Sequence, residues 1–230
     1  MKMRFCALLF LIVVITQVGP SAGSYEYFAM AQQWPPTLCV NGGCTIPKPV
    51  RNQFTIHGLW PTNISQPYPE FCLGKKKTRG GFNLNLLSQL QPQLQHEWPD
   101  VIHGKDLDFW EKEWNKHGTC SLSKYTQLAY FQRALSIKTE INLIDVLKNS
   151  GIVPHKTNPY DIGQIVTAIK SGNKNLEPAV MCTPPTRKSL PYLKEIRLCL
   201  FPNGSTYMDC PSASRVINCN NSKNQLLFPA

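Results

Sequence analysis

Residues 52–57, Asn-Gln-Phe-Thr-Ile-His, alternate like a strand, and residues 108–118, Asp-Phe-Trp-Glu-Lys-Glu-Trp-Asn-Lys-His-Gly, read as a helix. A period of two puts Phe54 and Ile56 on one face and Thr55 and His57 on the other, so His57 points away from the core side. Gly58 and Pro61 are expected to end that strand. In the second stretch Asp108 and Glu111 fit an N-cap and capping box, and Gly118 is expected to end the helix. Outward from these, Leu84, Leu87, Leu90 and Leu94 recur at helical spacing, with Pro92 placed to kink or split the helix. Residues 125–137 and 141–149 also read as helices. So do Ile162, Ile165, Val166 and Ile169, with Pro159 suited to the first turn and Gly172 to the stop. Glu195 to Phe201 alternates, Pro-Asn-Gly-Ser at 202–205 is a turn, and Thr206 to Cys210 returns, which predicts an antiparallel hairpin. Helices mixed with strands that do not alternate with them regularly give an α+β fold.

The 230 residues are 42% apolar and 17% charged, with no repeat or low-complexity linker, so one domain over residues 25–230 is expected. Lys2 and Arg4, the apolar run from Ala7 to Ile15 and small residues after Pro20 have the layout of a secretory signal peptide over residues 1–24. The apolar run is about half the roughly 20 residues a membrane span needs. Without the leader the nine cysteines become eight, and 22 basic residues face 14 acidic ones, a net charge of +8. So many cysteines with no CxxC pair indicate an oxidising compartment and disulfide staples. Eight cysteines can pair in many ways; proximity favours Cys39 with Cys44 and Cys199 with Cys210. Asn63, Asn203 and Asn220 each open an Asn-x-Ser sequon and are glycosylation candidates in a secreted chain.

Five histidines are present, and two sit among tryptophans: His57 in Phe-Thr-Ile-His-Gly-Leu-Trp-Pro, and His117 at the end of the helical stretch. Glu113 and His117 are four apart and share a helix face, with Lys116 beside them. A carboxylate, an ammonium and two imidazoles suit phosphodiester chemistry. One imidazole removes a proton from the nucleophile, the other gives one to the leaving oxygen, and the lysine offsets charge growing on phosphorus. If the substrate is RNA, its 2′-hydroxyl is the nucleophile and no metal or cofactor is needed. The same residues also fit a packed, hydrogen-bonded core, and a zinc site of His57, His117 and Cys120 is a weaker alternative. His96, His103 and His155 read as surface or structural.

The two histidine segments resemble the paired active-site blocks of the ribonuclease T2 family. Gln32-Gln33-Trp34-Pro35, Trp98-Pro99 and the eight mature cysteines resemble its plant branch. The resemblance implies a disulfide-stapled α+β domain with a central antiparallel sheet and bridges Cys39–Cys44, Cys72–Cys120, Cys182–Cys219 and Cys199–Cys210. It implies an endoribonuclease acting on single-stranded RNA, with transphosphorylation to a 2′,3′-cyclic phosphate and slower hydrolysis to a 3′-phosphate. His117 is then the general base and His57 the general acid, with Glu113 and Lys116 on the phosphate. Many relatives carry a histidine just before this glutamate, where Lys112 stands here; altered affinity or pH profile is expected, with activity kept. The first base pocket maps to Gln33, Asp100, Ile102 and Phe109, with stacking on Phe109 or Trp60.

Charge narrows the expected role. A strongly basic chain favours a polyanion, and Lys75, Lys76, Lys77 and Arg79 form a basic run. Strongly basic plant members resemble pistil S-RNases of self-incompatibility, for which residues 70–81 would face a pollen F-box protein. An S-like ribonuclease for phosphate scavenging or defence is the alternative, and a non-catalytic binding or storage protein or a metal-dependent hydrolase are rivals of other classes. The expected protein is a secreted monomer that binds neither DNA nor membrane.

Overall fold

Tyr27-Phe-Ala-Met-Ala-Gln-Gln33 is buried along its whole length and forms an interior strand, β1 (Tyr27–Gln33), of a six-stranded sheet. The computed structural model describes residues 24–40, 44, 52–74, 81–184, 189–219 and 221–230. Apart from Ser24, the expected leader lies outside these, as do the basic run from Lys75 to Arg79 and the sequon residue Asn220. The other strands in chain order are β2 (Thr55–Thr62), β3 (Pro159–Asp161), β4 (Ala179–Cys182), β5 (Leu193–Leu200), β6 (Tyr207–Met208), β7 (Val216–Ile217) and β8 (Gln225–Leu227). The helices are α1 (Pro35–Leu38), α2 (Gln91–Glu97), α3 (Asp106–Lys116), α4 (Gln127–Glu140), α5 (Leu143–Asn149) and α6 (Ile162–Gly172). The sheet runs β2-β1-β5-β4-β7, with β6 on β5, and its pairs are antiparallel except the short β4–β7 contact. β3 and β8 form a second, two-stranded sheet. The fold is the α+β arrangement that the sequence predicts.

The two faces of the sheet have different work. Phe28 and Met30 of β1, Ile56 and Leu59 of β2, and Ile196, Leu198 and Leu200 of β5 face the large core, where side chains of α2 through α6 cover them. On the other face Tyr27, Ala29 and Cys199 form a small cluster with Trp60 packed against it. Four disulfides tie the loops to this frame: Cys39–Cys44, Cys72–Cys120, Cys182–Cys219 and Cys199–Cys210. These are the pairs that the resemblance implies.

Several element boundaries differ from the sequence reading, each for a local reason. β2 does not stop at Gly58 but runs through Pro61 to Thr62. It is an edge strand of the sheet, so the N–H that Pro61 lacks is not needed by a further strand. α3 starts at Asp106, two residues before the expected cap at Asp108, and no side chain caps it. Asp106 Oδ1 instead accepts the Asp100 N–H (2.7 Å), and the two aspartates favour the positive helix end. Gly118 opens a 3-10 turn; a Cβ there would lie 2.2 Å from the Trp114 ring, so close packing is what requires glycine. Pro159 lies in β3 rather than in the first turn of α6, whose cap is Asp161. The leucine repeat splits into a 3-10 turn over Leu84–Leu87 and α2, with Pro92 in the first turn of the helix.

Candidate active site

The site begins with an irregularity in β2. Gln32 faces Ile56 and Ala31 faces Gly58, which leaves His57 as an extra, bulged residue. A bulge shifts the two-residue alternation by one position. Ile56 and Leu59, three apart, therefore both reach the large core, while Trp60 turns to the opposite face and His57 lines the cleft there. The bulge is held from behind: Trp98 Nε1 donates to the His57 carbonyl (3.1 Å), Trp110 Nε1 to the Trp98 carbonyl (2.7 Å) and the Tyr130 hydroxyl to the Leu59 carbonyl (2.8 Å).

α3 brings the second group. Its last turn carries Glu113, Lys116 and, as C-cap, His117, whose N–H donates to the Glu113 carbonyl (2.9 Å). The buried Glu113 carboxylate accepts the Trp60 indole N–H at 2.9 Å. A Cβ at Gly58 would lie 2.2 Å from Trp60 Nε1 and 2.4 Å from Glu113 Oε2, so this pair requires the glycine between them. Trp60 is enclosed on several sides. The His57 and His117 rings lie 4.9 and 5.3 Å from it, and the Arg197 guanidinium sits 4.8 Å over its face. Its indole lies between the two imidazoles, and the half-buried Phe109 ring stacks 6.2 Å from the His57 ring on the other side.

Two adjoining cavities receive every residue expected in the site. One, of about 380 Å³, is lined by His57, Trp60, Lys112, Glu113, Lys116 and His117. The other, of about 410 Å³, is lined by Gln33, Asp100, Ile102 and Phe109 and shares His57 and Lys112 with the first. Asp100 also shapes its own loop: its carboxylate accepts the backbone N–H groups of Ile102 and His103 (3.1 Å each) and Lys105 (3.3 Å). Lys116 Nζ lies 3.0 Å from Glu70 Oε1. The segment carrying Glu70 is pinned to the helix end by the Phe71 N–H on the Lys116 carbonyl (2.8 Å) and by Cys72–Cys120. That disulfide takes Cys120 out of the zinc alternative.

The sequence reading missed two residues of β5. Glu195 Oε2 is 2.6 Å from His57 Nδ1, and Glu195 Oε1 accepts the Arg197 Nε–H at 2.7 Å. The available signal was a carboxylate and a guanidinium two apart, hence on one face of a strand whose other face is apolar. The surroundings drive the two imidazoles apart. Burial pulls His57 down, but the hydrogen bond and charge of Glu195, with the charge of Glu113, outweigh it and hold the ring above the ordinary histidine value. Burial, then Lys116, His57, Arg197 and Lys112, push His117 down to about 3. Burial also raises Glu113 despite the opposing His57 charge and Trp60 bond, whereas for Glu195 the burial penalty is overcome by His57 and Arg197, down to about 2.

The sequence model of the ribonuclease T2 family matches residues 25–210. The chain belongs to that family. It is 33% identical over 215 residues to the extracellular ribonuclease LE of Solanum lycopersicum, covering 89% of this chain and 90% of the relative. It is equally 33% identical to ribonuclease S-1 of Pyrus pyrifolia, over 92% of this chain and 90% of that one. Ribonuclease MC1 from bitter gourd seeds superposes with a TM-score of 0.75 at 30% identity, covering 89% of this chain and all of the other. The chain is thus a T2-type endoribonuclease, an enzyme whose substrate is RNA.

Proposed function

We propose that the protein is a secreted, metal-independent ribonuclease that cleaves single-stranded RNA in this cleft, with His117 as general base and His57 as general acid. The opposite displacement of the two imidazoles supports the reading: the one pushed down is ready to accept a proton, and the one held above the ordinary histidine value keeps its proton to higher pH and can give it. His117 takes the 2′-hydroxyl proton as O2′ attacks phosphorus. The P–O5′ bond breaks, and O5′ receives the proton from His57, leaving a 2′,3′-cyclic phosphate. In the slower hydrolysis the roles exchange: water attacks, and a 3′-phosphate results. Lys112, Glu113 and Lys116 line the cavity beside both imidazoles: the two ammonium groups offset the charge that builds on phosphorus, and Glu113 orders the site by holding the Trp60 indole. The base on the 3′-phosphate side lies against Phe109, edged by Gln33, Asp100 and Ile102.

Cleavage of RNA in EDTA tests this, with the cyclic phosphate followed as product. His57→Ala and His117→Ala are each expected to lower the rate about 10²- to 10⁴-fold. Activity lost in chelator, or kept in both variants, overturns the assignment. Phe109→Ala is expected to weaken nucleotide binding by about 1–3 kcal/mol, measured as KM or by titration.

The role proposed for that activity is a self-incompatibility S-RNase, supported by the net charge of +8 over residues 25–230 and by the S-1 relative. The equal identity to an extracellular ribonuclease supports the S-like alternative as well. Pistil-restricted expression with loss of pollen rejection on knockdown favours the first, and induction by phosphate starvation the second. An F-box partner belongs to the first reading only. Asn203, exposed at the β5–β6 turn, and Asn63 are the sequons proposed to carry glycans among the described residues.

A further inference from the structure

We propose that Glu195, locked by Arg197, is the positioning residue of His57: it fixes which ring nitrogen faces the substrate and keeps the acid loaded. The inference rests on the reading of His57 as general acid. Glu195 is buried to 4% exposure on a central strand, an expensive place for a carboxylate unless its charge is paired. Its partners are the imidazole of His57 at one oxygen, at 2.6 Å, and the Arg197 Nε–H at the other, at 2.7 Å. An apolar side chain would serve packing alone better at that depth.

The chemistry follows from the contact. With Nδ1–H donating to Glu195, the neutral ring has its lone pair on Nε2, the nitrogen left for the cleft. When Nε2 carries a proton the imidazolium is stabilised by the carboxylate behind it, and the proton leaves from the cleft side. Arg197 holds the second carboxylate oxygen and so prevents Glu195 from turning away. His117 has no counterpart to this arrangement: its Nδ1 is buried with no hydrogen-bond partner among the described residues. The two histidines are therefore unequal by construction, and the carboxylate stands behind the one that must start charged. The charged groups facing His57 are Glu195 and Arg197 from β5 and Glu113 from α3, with Lys112 lining the same two cavities.

The test compares two leaving groups. A dinucleoside phosphate expels a nucleoside 5′-oxygen that needs a proton, whereas a ribonucleoside 3′-(4-nitrophenyl phosphate) expels nitrophenolate, which does not. Glu195→Gln is expected to lower kcat/KM on the dinucleotide about 10- to 100-fold, part of a general acid's contribution, and to leave the nitrophenyl ester nearly unchanged. Its alkaline limb on the dinucleotide moves to lower pH, and Glu195→Asp restores part of both. Equal losses on both substrates, or an unmoved alkaline limb, overturn the proposal. If Glu195→Gln does not fold, nitrogen NMR of the wild-type His57 ring decides: a neutral Nδ1–H form supports the proposal and an Nε2–H form overturns it. If His57→Ala itself cleaves the dinucleotide at the wild-type rate, the acid assignment fails, which is a separate result from an unaffected Glu195→Gln.

Discussion

His57 and His117 are the same side chain in opposed surroundings, and the sign of each shift sets a pH dependence. The rate is expected to rise with pH as His117 loses its proton near 3 and to fall above about 6.5 as His57 loses its own, measured as kcat/KM on a dinucleotide. Stability follows the Glu195–His57 contact. Glu195, lowered from 4.5 to about 2, contributes stability above 4.5 that is lost as pH falls through 2. His57, raised from 6.5, contributes below 6.5 and loses that contribution as pH rises through its folded value. Both are in force between about 4.5 and 6.5, so denaturant titrations should find the stability deficit of Glu195→Gln largest there and smaller at either extreme. Glu113, Lys116 and His117 were legible because one helix end puts them at local spacing, and His57 because it sits in a strand segment among aromatic residues. Glu195 was not, since it meets His57 across 138 residues of sequence and only sheet pairing brings it there.

Elements were legible where one face of each is wet. α3 shows its rhythm because Trp110 and Trp114 face the core while Asp108, Glu111 and Lys112 do not. β1 gives no such signal: with both edges paired and both faces covered, Tyr27 to Gln33 reads as an apolar run ending in two glutamines. β2 misleads differently, because the bulge at His57 breaks the alternation where Gly58 and Pro61 already suggest an end. Gly58→Ala tests this join. A methyl group there must push Trp60 from Glu113, so a stability loss of about 1–3 kcal/mol by chemical denaturation is expected. The loss of cleavage should exceed what the folded fraction accounts for.

For the whole molecule, disulfides and charge set the remaining expectations. Cys72–Cys120 spans 48 residues and anchors the segment of Glu70 to the end of α3. Replacing both cysteines by serine is expected to cost about 4 kcal/mol on the loop-entropy relation, read from the denaturation midpoint. With a net charge of +8 over residues 25–230, cleavage of long RNA should weaken with salt more steeply than cleavage of a dinucleotide, because more counterions are released on binding the polymer. The overall α+β class was open to sequence because it needs only local patterns, whereas strand order needs pairings that no local pattern records. That order has one more consequence. β1 lies between β2, its near neighbour in sequence, and β5, made far later. As the chain leaves the ribosome, both imidazoles emerge well before the strand that completes their sheet. A nuclease built in this sequence of events acquires its working geometry only late in synthesis, once β5 has joined β1.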